Sequence, residues 1–250
     1  MLPSFIYFTG KRQRSTAIGK YLKSSDYDIV VLQETFKHGA RRRIKRQTKE
    51  TFQYKIGPAF RRYVSLRTSS GVWILSKYPI KTLGKTKYKE KEGFDNKMAR
   101  KGALMVQMNK NGTLYNFIGT HINAGGSAAT KCSQVVQIQQ LIEKKHNDSI
   151  PLFVCGDFNI DKTEKEYQFI LDTLNVTDGP LTGRQCTVDG SSNDFHVGEQ
   201  KCEVIDFIFY SEKSIQPNQV YRRLPIIEYK WSDMHKSLSD HEPVEMIIKF

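Results

Sequence analysis

The stretch FVCGDFNID, residues 153–161, reads as a buried β-strand that ends in an acid and an amide. The apolar residues before Gly156 have the aromatic and β-branched content of a strand interior. Asp157 and Asn159 follow, two residues apart, so on an extended chain both side chains leave the same face. A lone Asp after a strand is ordinarily a turn or cap residue. Its meaning therefore depends on how the other strands of the chain end.

Four further apolar segments carry acidic, amide or imidazole groups at or near strand ends. VVLQETF closes on Gln33 and Glu34, and NFIGTHINA on Thr120, His121 and Asn123. EVIDFIFY carries Asp206 among apolar residues, where an ionised carboxylate needs a cation or hydrogen-bond donors. SLSDHEPVEMIIKF places Asp240 and His241 just before the last strand. Singly, each has an ordinary structural reading, a satisfied core histidine in the case of His121. Together they form a chemical set that unrelated structural roles do not explain.

The same runs define the fold class. DIVVLQ (28–33), GVWILS (71–76), GALMVQM (102–108), LYNFIGT (114–120), PLFVCG (151–156), VIDFIFY (204–210) and PVEMIIKF (243–250) read as strands. RSTAIGKYLKSS, SQVVQIQQLIEKK and KTEKEYQFILDTLN read as amphipathic helices, the second with Val135, Ile138, Leu141 and Ile142 on one face. Early strands alternate with helices and the middle strands are consecutive. The pattern predicts an α/β protein with two packed sheets and helices outside, and one domain over residues 1–250, since no linker or repeat interrupts it.

Composition limits the function classes. The chain has 39 Lys+Arg against 26 Asp+Glu, a net charge of +13, which suits an anionic partner: nucleic acid, an acidic lipid surface or a phosphate-bearing substrate. The densest basic run, GARRRIKRQTKE (39–50), reads either as a solvated helix face or as a phosphate or membrane contact. No apolar run approaches the ~20 residues of a membrane span, and MLPSFIYFTG lacks the basic and apolar regions of a signal peptide. Of the four cysteines, none has CxxC spacing, which argues against a zinc site. Cys155 lies in a strand as a buried thiol. Cys186 and Cys202 flank a polar segment and could close it as a disulfide or stay free; a disulfide would favour an extracytoplasmic protein.

The set at the strand ends suits phosphodiester hydrolysis. A hard cation such as Mg²⁺ takes oxygen ligands and keeps several waters, so Glu34 with little help suffices to hold it. His241, oriented by Asp240 or Asp206, is a candidate base for water. Asn159 and His121 are candidate donors for charge growing on phosphate oxygens. Serine-hydrolase chemistry is disfavoured because no GxSxG appears.

In order along the chain, QET, GTH, GDFN, IDFIF and SDH resemble the endonuclease/exonuclease/phosphatase superfamily. The resemblance implies a four-layered α/β sandwich of two mixed sheets flanked by helices. It implies a metal-dependent phosphoesterase using Mg²⁺, for which Mn²⁺ or Co²⁺ could substitute. It implies Glu34 as the metal ligand, His121 and Asn159 as phosphate-stabilising residues, and Asp157 beside the attacking water. Asp206 would lie near the catalytic histidine, with Asp240 and His241 as orienting acid and general base. Within the superfamily the chain is most similar to neutral sphingomyelinases of the bacterial type. FDNKMARKGALMVQM is similar to their Asn-Lys-Gly segment, which would bring Lys101 to a substrate phosphate. Trp231, in EYKWSDMHKSLSDH, stands where those enzymes carry a membrane-dipping aromatic hairpin; its alternative is a partly buried loop aromatic.

One departure stands out. The superfamily opens on a strand bearing a metal-supporting asparagine, and this chain has no Asn before Asn96. The expectation is that Met1 is an internal methionine and that the first strand is missing. The leading function is therefore phospholipid hydrolysis at a membrane surface, by a monomer without a protein partner, secreted or peripheral to a membrane. The alternatives are a nuclease acting on DNA or RNA, an inositol phosphate phosphatase, and a binding protein that keeps the fold with a crippled site.

Overall fold

Alternation along the central strands decides which layer each side chain meets. A computed structural model of the 250-residue chain describes residues 10–60, 68–196, 198–227, 229–233 and 235–250. The expectations on the opening strand and on Met1 fall on residues 1–9, outside the described residues. The elements run α1 (Lys11–Ser24), β1 (Ile29–Leu32), α2 (His38–Gln47), β2 (Tyr54–Ile56), β3 (Trp73–Ser76), β4 (Ile80–Lys87), α3 (Phe94–Met98), β5 (Gly102–Lys110), β6 (Thr113–His121) and α4 (Ala128–Lys145). They continue with β7 (Leu152–Asp157), α5 (Lys165–Leu174), β8 (Val176–Thr177), β9 (Leu181–Thr182), β10 (Val188–Asp189), β11 (Cys202–Glu203), β12 (Asp206–Ser211), β13 (Gln219–Arg223) and β14 (Glu245–Lys249).

Six strands form the main sheet in the order β4-β5-β6-β7-β12-β8. The pair β6 and β7 is parallel, joined through α4, while β5 with β6 and β7 with β12 are antiparallel. A second layer holds two three-stranded sheets, β1-β3-β2 and β14-β13-β9. The layers are separated by three apolar clusters. On one face of the main sheet, Met105, Ile118, Val154 and Phe207 pack against Val135, Ile138 and Leu141 of α4 and Ile170 of α5. On the other face, Leu104, Val106, Phe117, Phe153 and Cys155 meet Ile74 of β3, Val31 of β1 and Ile248 of β14. Beyond β1 and β3, Trp73 and Leu75 pack against Leu22 of α1 and Ile44 of α2. The order is helix, sheet, sheet, helix, the four-layered sandwich of the sequence reading. Each fully buried Leu, Ile or Phe contributes about 1.5–3 kcal/mol, so the three interfaces together set the layer order.

Local chemistry shapes the ends of the elements. Ser127 caps α4, its Oγ accepting from Thr130 N at 3.2 Å. The strand anticipated from Val204 begins at Asp206, so this carboxylate sits at a strand end rather than inside an apolar run. Trp231 is the partly buried loop aromatic: its ring stacks 4.9 Å from His235 and its Nε1 donates to Ser237 O at 2.8 Å. Among the described residues no helix is long and apolar enough to cross a membrane.

Candidate active site

Strand register builds the first part of the site. His121 pairs with Asp157 across β6 and β7, and Asp206 pairs with Asp157 across β12 and β7. Three neighbouring strands of the main sheet thus end in a row of imidazole, carboxylate and carboxylate. Gly156 makes this row tight: a Cβ there would lie 2.2 Å from Thr120 O. The glycine of GDFN is therefore the residue that lets two strand backbones close up behind His121 and Asp157.

Asn159 lies beyond the strand with φ +48°. Its backbone N–H donates to Asp157 Oδ1 at 2.9 Å, and its Nδ2 donates to Ile122 O at 3.4 Å. Asp157 is the side-chain cap of its own turn, so the two residues are fixed to each other through a turn rather than by strand alternation. The other carboxylate oxygen, Asp157 Oδ2, is 3.3 Å from His121 Nε2.

His241 arrives from the segment before β14. Its Nδ1 donates to Asp206 Oδ2 at 2.8 Å. Of the two carboxylates that the sequence offered as its partner, the structure pairs the imidazole with Asp206. The Asp240 carboxylate instead accepts from Ser239 Oγ at 3.3 Å. Asp157, Asp206 and His241 each offer a ligand atom within 4.8 Å of one another.

Glu34 follows β1 with φ +51°. Its carboxylate has no hydrogen bond or ion pair with the described residues. Gly71 is the neighbour that admits this backbone: a Cβ there would meet Phe36 Cε1 at 2.6 Å and Glu34 Cα at 3.2 Å. Thr35 completes the seam, its N–H and Oγ1 donating to Gly71 O at 2.9 and 2.7 Å. Glu34, His121, Asp157, Asn159, Asp206, Asp240 and His241 line one cleft. Lys101 does not reach that surface. It is 4% exposed and donates to Ile122 O at 2.7 Å and to His121 Nε2 at 3.0 Å. It backs His121 instead of facing outward.

Burial and crowding set the charges. Burial and the Asp206 carboxylate push Asp157 up to about 7. Burial raises Glu34 as well, and Asp240 adds to the effect. Burial works against the Asp240 carboxylate, yet His241 beside it holds it below the usual range. Burial and the Lys101 ammonium keep His121 neutral, well below its ordinary value. Burial pulls Lys101 down to about 8, against the attraction of Asp157 and Glu34. Burial would lower His241 too, but Asp206, Asp157 and Asp240 outweigh it and push the imidazole up to about 10. Because Lys101 donates to Nε2, the proton of neutral His121 sits on Nδ1, a buried atom without a hydrogen-bond partner among the described residues.

Sequence reasoning missed Gly71 and a group of loop residues, Thr187, Asn193 and His196. The only signal for the loop was its bracketing by Cys186 and Cys202, which the structure joins in a disulfide.

Comparison with known proteins agrees with the resemblance in the motifs. Residues 6–241 match the Endonuclease/Exonuclease/phosphatase family. A phospholipase C of Staphylococcus aureus is 27% identical over 284 residues, covering 100% of this chain and 84% of that protein. A sphingomyelinase C of Leptospira interrogans is 27% identical over 94% of this chain and 47% of its own length. A crystal structure of Staphylococcus aureus beta toxin with bound magnesium ions superposes with a TM-score of 0.86 at 26% identity, covering 95% of this chain and 92% of that one.

Proposed function

The chain belongs to the Endonuclease/Exonuclease/phosphatase family and is a phosphodiester hydrolase of it, and from that premise we propose that it is a Mg²⁺-dependent phospholipase C-type enzyme. Its substrate is sphingomyelin or a related phospholipid, which it cleaves to a phosphorylated head group. The observation that carries this reading is the His241–Asp206 pair at 2.8 Å, set against Asp157 and Asn159 at the sheet edge. The names of the relatives, phospholipase C and sphingomyelinase C, support the choice of lipid.

The donor set fits a hard divalent cation. Glu34 offers a carboxylate without a hydrogen bond or ion pair among the described residues, and burial together with the Asp206 carboxylate raises Asp157 to about 7. Such an excess of oxygen donors is what Mg²⁺ prefers. Glu34 would hold the ion, with water in the remaining positions. His241 Nδ1 is already bonded to Asp206, which makes it a poor competitor for the metal. When bound, the ion polarises a phosphoryl oxygen and neutralises part of the carboxylate field.

His241 then has two distinct nitrogens. Nδ1 is committed to Asp206, which fixes the ring and leaves Nε2 to take a proton from water. Against the effect of burial, the carboxylates of Asp206, Asp157 and Asp240 push the imidazole up to about 10, which favours the imidazolium at neutral pH. A cation held at Glu34 would offset part of this carboxylate field, to which Asp206 contributes most, and so favour the base form of His241. His121 and the side-chain amide of Asn159 are the donors for the phosphoryl oxygens as negative charge grows there. Lys101 holds the His121 ring from behind through Nε2.

The disulfide and a membrane-borne substrate favour a site of action outside the cytoplasm. We treat the chain as one catalytic domain acting as a monomer without a protein partner. One observation favours the nuclease reading: α1 and α2 carry five Lys or Arg each and no Asp or Glu. The deciding experiment is hydrolysis of sphingomyelin vesicles in isotopically labelled water, followed by phosphorus NMR. Label in the phosphorylated head group supports water attack at phosphorus. Label in the lipid alcohol, or no release of head group, overturns the reading.

A further inference from the structure

The His241–Asp206 pair joins two segments that are distant in sequence. Asp206 opens β12, whereas His241 lies in the loop before β14. A third segment touches both. Thr187 is fully buried, with 0% exposure. Its Oγ1 accepts from Ile205 N at 3.0 Å and from Asp206 N at 3.3 Å. Its carbonyl accepts from Glu242 N at 2.7 Å, one residue past His241. One residue thus holds the backbone of the acid and the backbone beside the base.

The residues after Thr187 extend the grip. Asn193, 2% exposed, donates from Nδ2 to Ser239 O at 2.9 Å and to Glu242 Oε1 at 3.2 Å. His196 Nε2 donates to Asp240 O at 2.9 Å. Asp194 Oδ2 accepts from Ser237 N at 3.2 Å. The loop 237–242 is therefore held at Ser237, Ser239, Asp240 and Glu242, while His241 is left to point at Asp206. The gripping segment has its own foundation. The Cys186–Cys202 disulfide closes its ends, Val188 and Asp189 pair with Glu203 and Cys202, and Asp189 Oδ1 accepts from Ser191 N at 2.8 Å.

We propose that the disulfide-closed segment is a clamp, with Thr187 as its central positioning residue, that sets the distance and orientation of His241 against Asp206. This rests on the reading of His241 as the base. Thr187 does not touch substrate and acts only through the pair. Replacing it by Val keeps the shape but leaves the amides of Ile205 and Asp206 without their acceptor. Ser keeps the acceptor.

The test compares Thr187→Val with Thr187→Ser by two readouts. The first is the downfield proton resonance of His241 Nδ1–H, assigned by its loss in His241→Ala. The second is kcat and KM for sphingomyelin hydrolysis. The clamp predicts that Thr187→Val loses or shifts the resonance and loses roughly tenfold or more in kcat, as a displacement short of 1 Å would cause, with KM little changed. Thr187→Ser keeps both. A Thr187→Val protein with a lower melting temperature but an unchanged resonance and kcat overturns the proposal. If Thr187→Val does not fold, Asn193→Ala is judged by the same two readouts. If the wild-type protein hydrolyses no phosphodiester, the functional reading fails and the resonance alone decides the clamp.

Discussion

Gly156→Ala isolates the contribution of strand spacing to the site. The added Cβ would sit 2.2 Å from Thr120 O, where real Cβ contacts essentially never fall below 3.0 Å, so β6 and β7 must separate locally by roughly 0.8 Å. The obstacle is backbone, and no rotamer change relieves it. Overpacking of this kind costs about 1–3 kcal/mol, which for a domain of this size lowers the melting temperature by roughly 2–4 °C per kcal/mol. The displacement falls on the residues just before His121 and Asp157, which are paired across the same two strands. A misplacement approaching 1 Å costs up to ~10²-fold in rate, so kcat should fall about 10–100-fold, well beyond what a small unfolded fraction explains. The assay is calorimetry with steady-state hydrolysis of sphingomyelin vesicles. Gly39→Ala is the matched control: it lies in α2, its Cβ would come no closer than 3.4 Å to the flexible end of Arg43, and helix propensity favours Ala by about 0.8–1 kcal/mol. A Gly156→Ala enzyme that melts and turns over like the wild type would refute the claim that this glycine spaces the site.

Asp206→Asn keeps the shape of the His241 partner but removes its charge. A charge-assisted hydrogen bond contributes about 1.5–3 kcal/mol, so kcat should drop roughly 10–100-fold with the fold intact; unchanged kcat would show that His241 is oriented by something else. Glu34→Gln should weaken Mg²⁺ binding at least about tenfold by isothermal titration, since it removes a cleft carboxylate that has no hydrogen bond or ion pair with the described residues; equal affinity would move the ion elsewhere. His146 gives a pH prediction away from the site. Its side chain is 3% exposed, its Nδ1 faces Asn116 Nδ2 at 3.0 Å, and burial holds its pKa below the ordinary 6.5 despite Asp148 nearby. Between the depressed folded value and 6.5 the unfolded chain binds more protons, so stability is lost as pH falls through that window and is regained as pH rises. The difference in melting temperature between wild type and His146→Gln should therefore vary with pH below 6.5 and flatten above it; a difference that does not change with pH would contradict this.

Much of the architecture was legible because the apolar strands are long and alternate cleanly. In β7, Leu152 and Val154 face the α4 cluster while Phe153 and Cys155 face the second sheet. β4 was not legible: its sequence IKTLGKTK is broken by lysines and a glycine, as suits an edge strand with a bulge between Thr82 and Gly84. β13, QVYRR, has no strand pattern either, because its Arg222 is buried against Asp178 at 2.6 Å, a partner from another segment. The site was legible as a set of residues at strand ends, but its pairings were not. Asp206 and Asp240 are equal candidates in sequence; the register of β12 against β7 sets Asp206 at the sheet edge beside Asp157, and the fold of the loop before β14 brings His241 to it. The resemblance places Lys101 at a substrate phosphate, yet it turns inward to a backbone carbonyl. Thr187 is invisible because its role lies in three backbone contacts that exist only after folding.

The central claim is that the His241–Asp206 pair performs cation-dependent hydrolysis of a phospholipid diester. The most direct test is Mg²⁺-dependent release of head group from sphingomyelin vesicles, run beside plasmid DNA nicking, with chelator and His241→Ala as controls. Release that disappears both with chelator and in His241→Ala is the predicted result. DNA nicking without lipid hydrolysis, or lipid hydrolysis that survives His241→Ala, would contradict it.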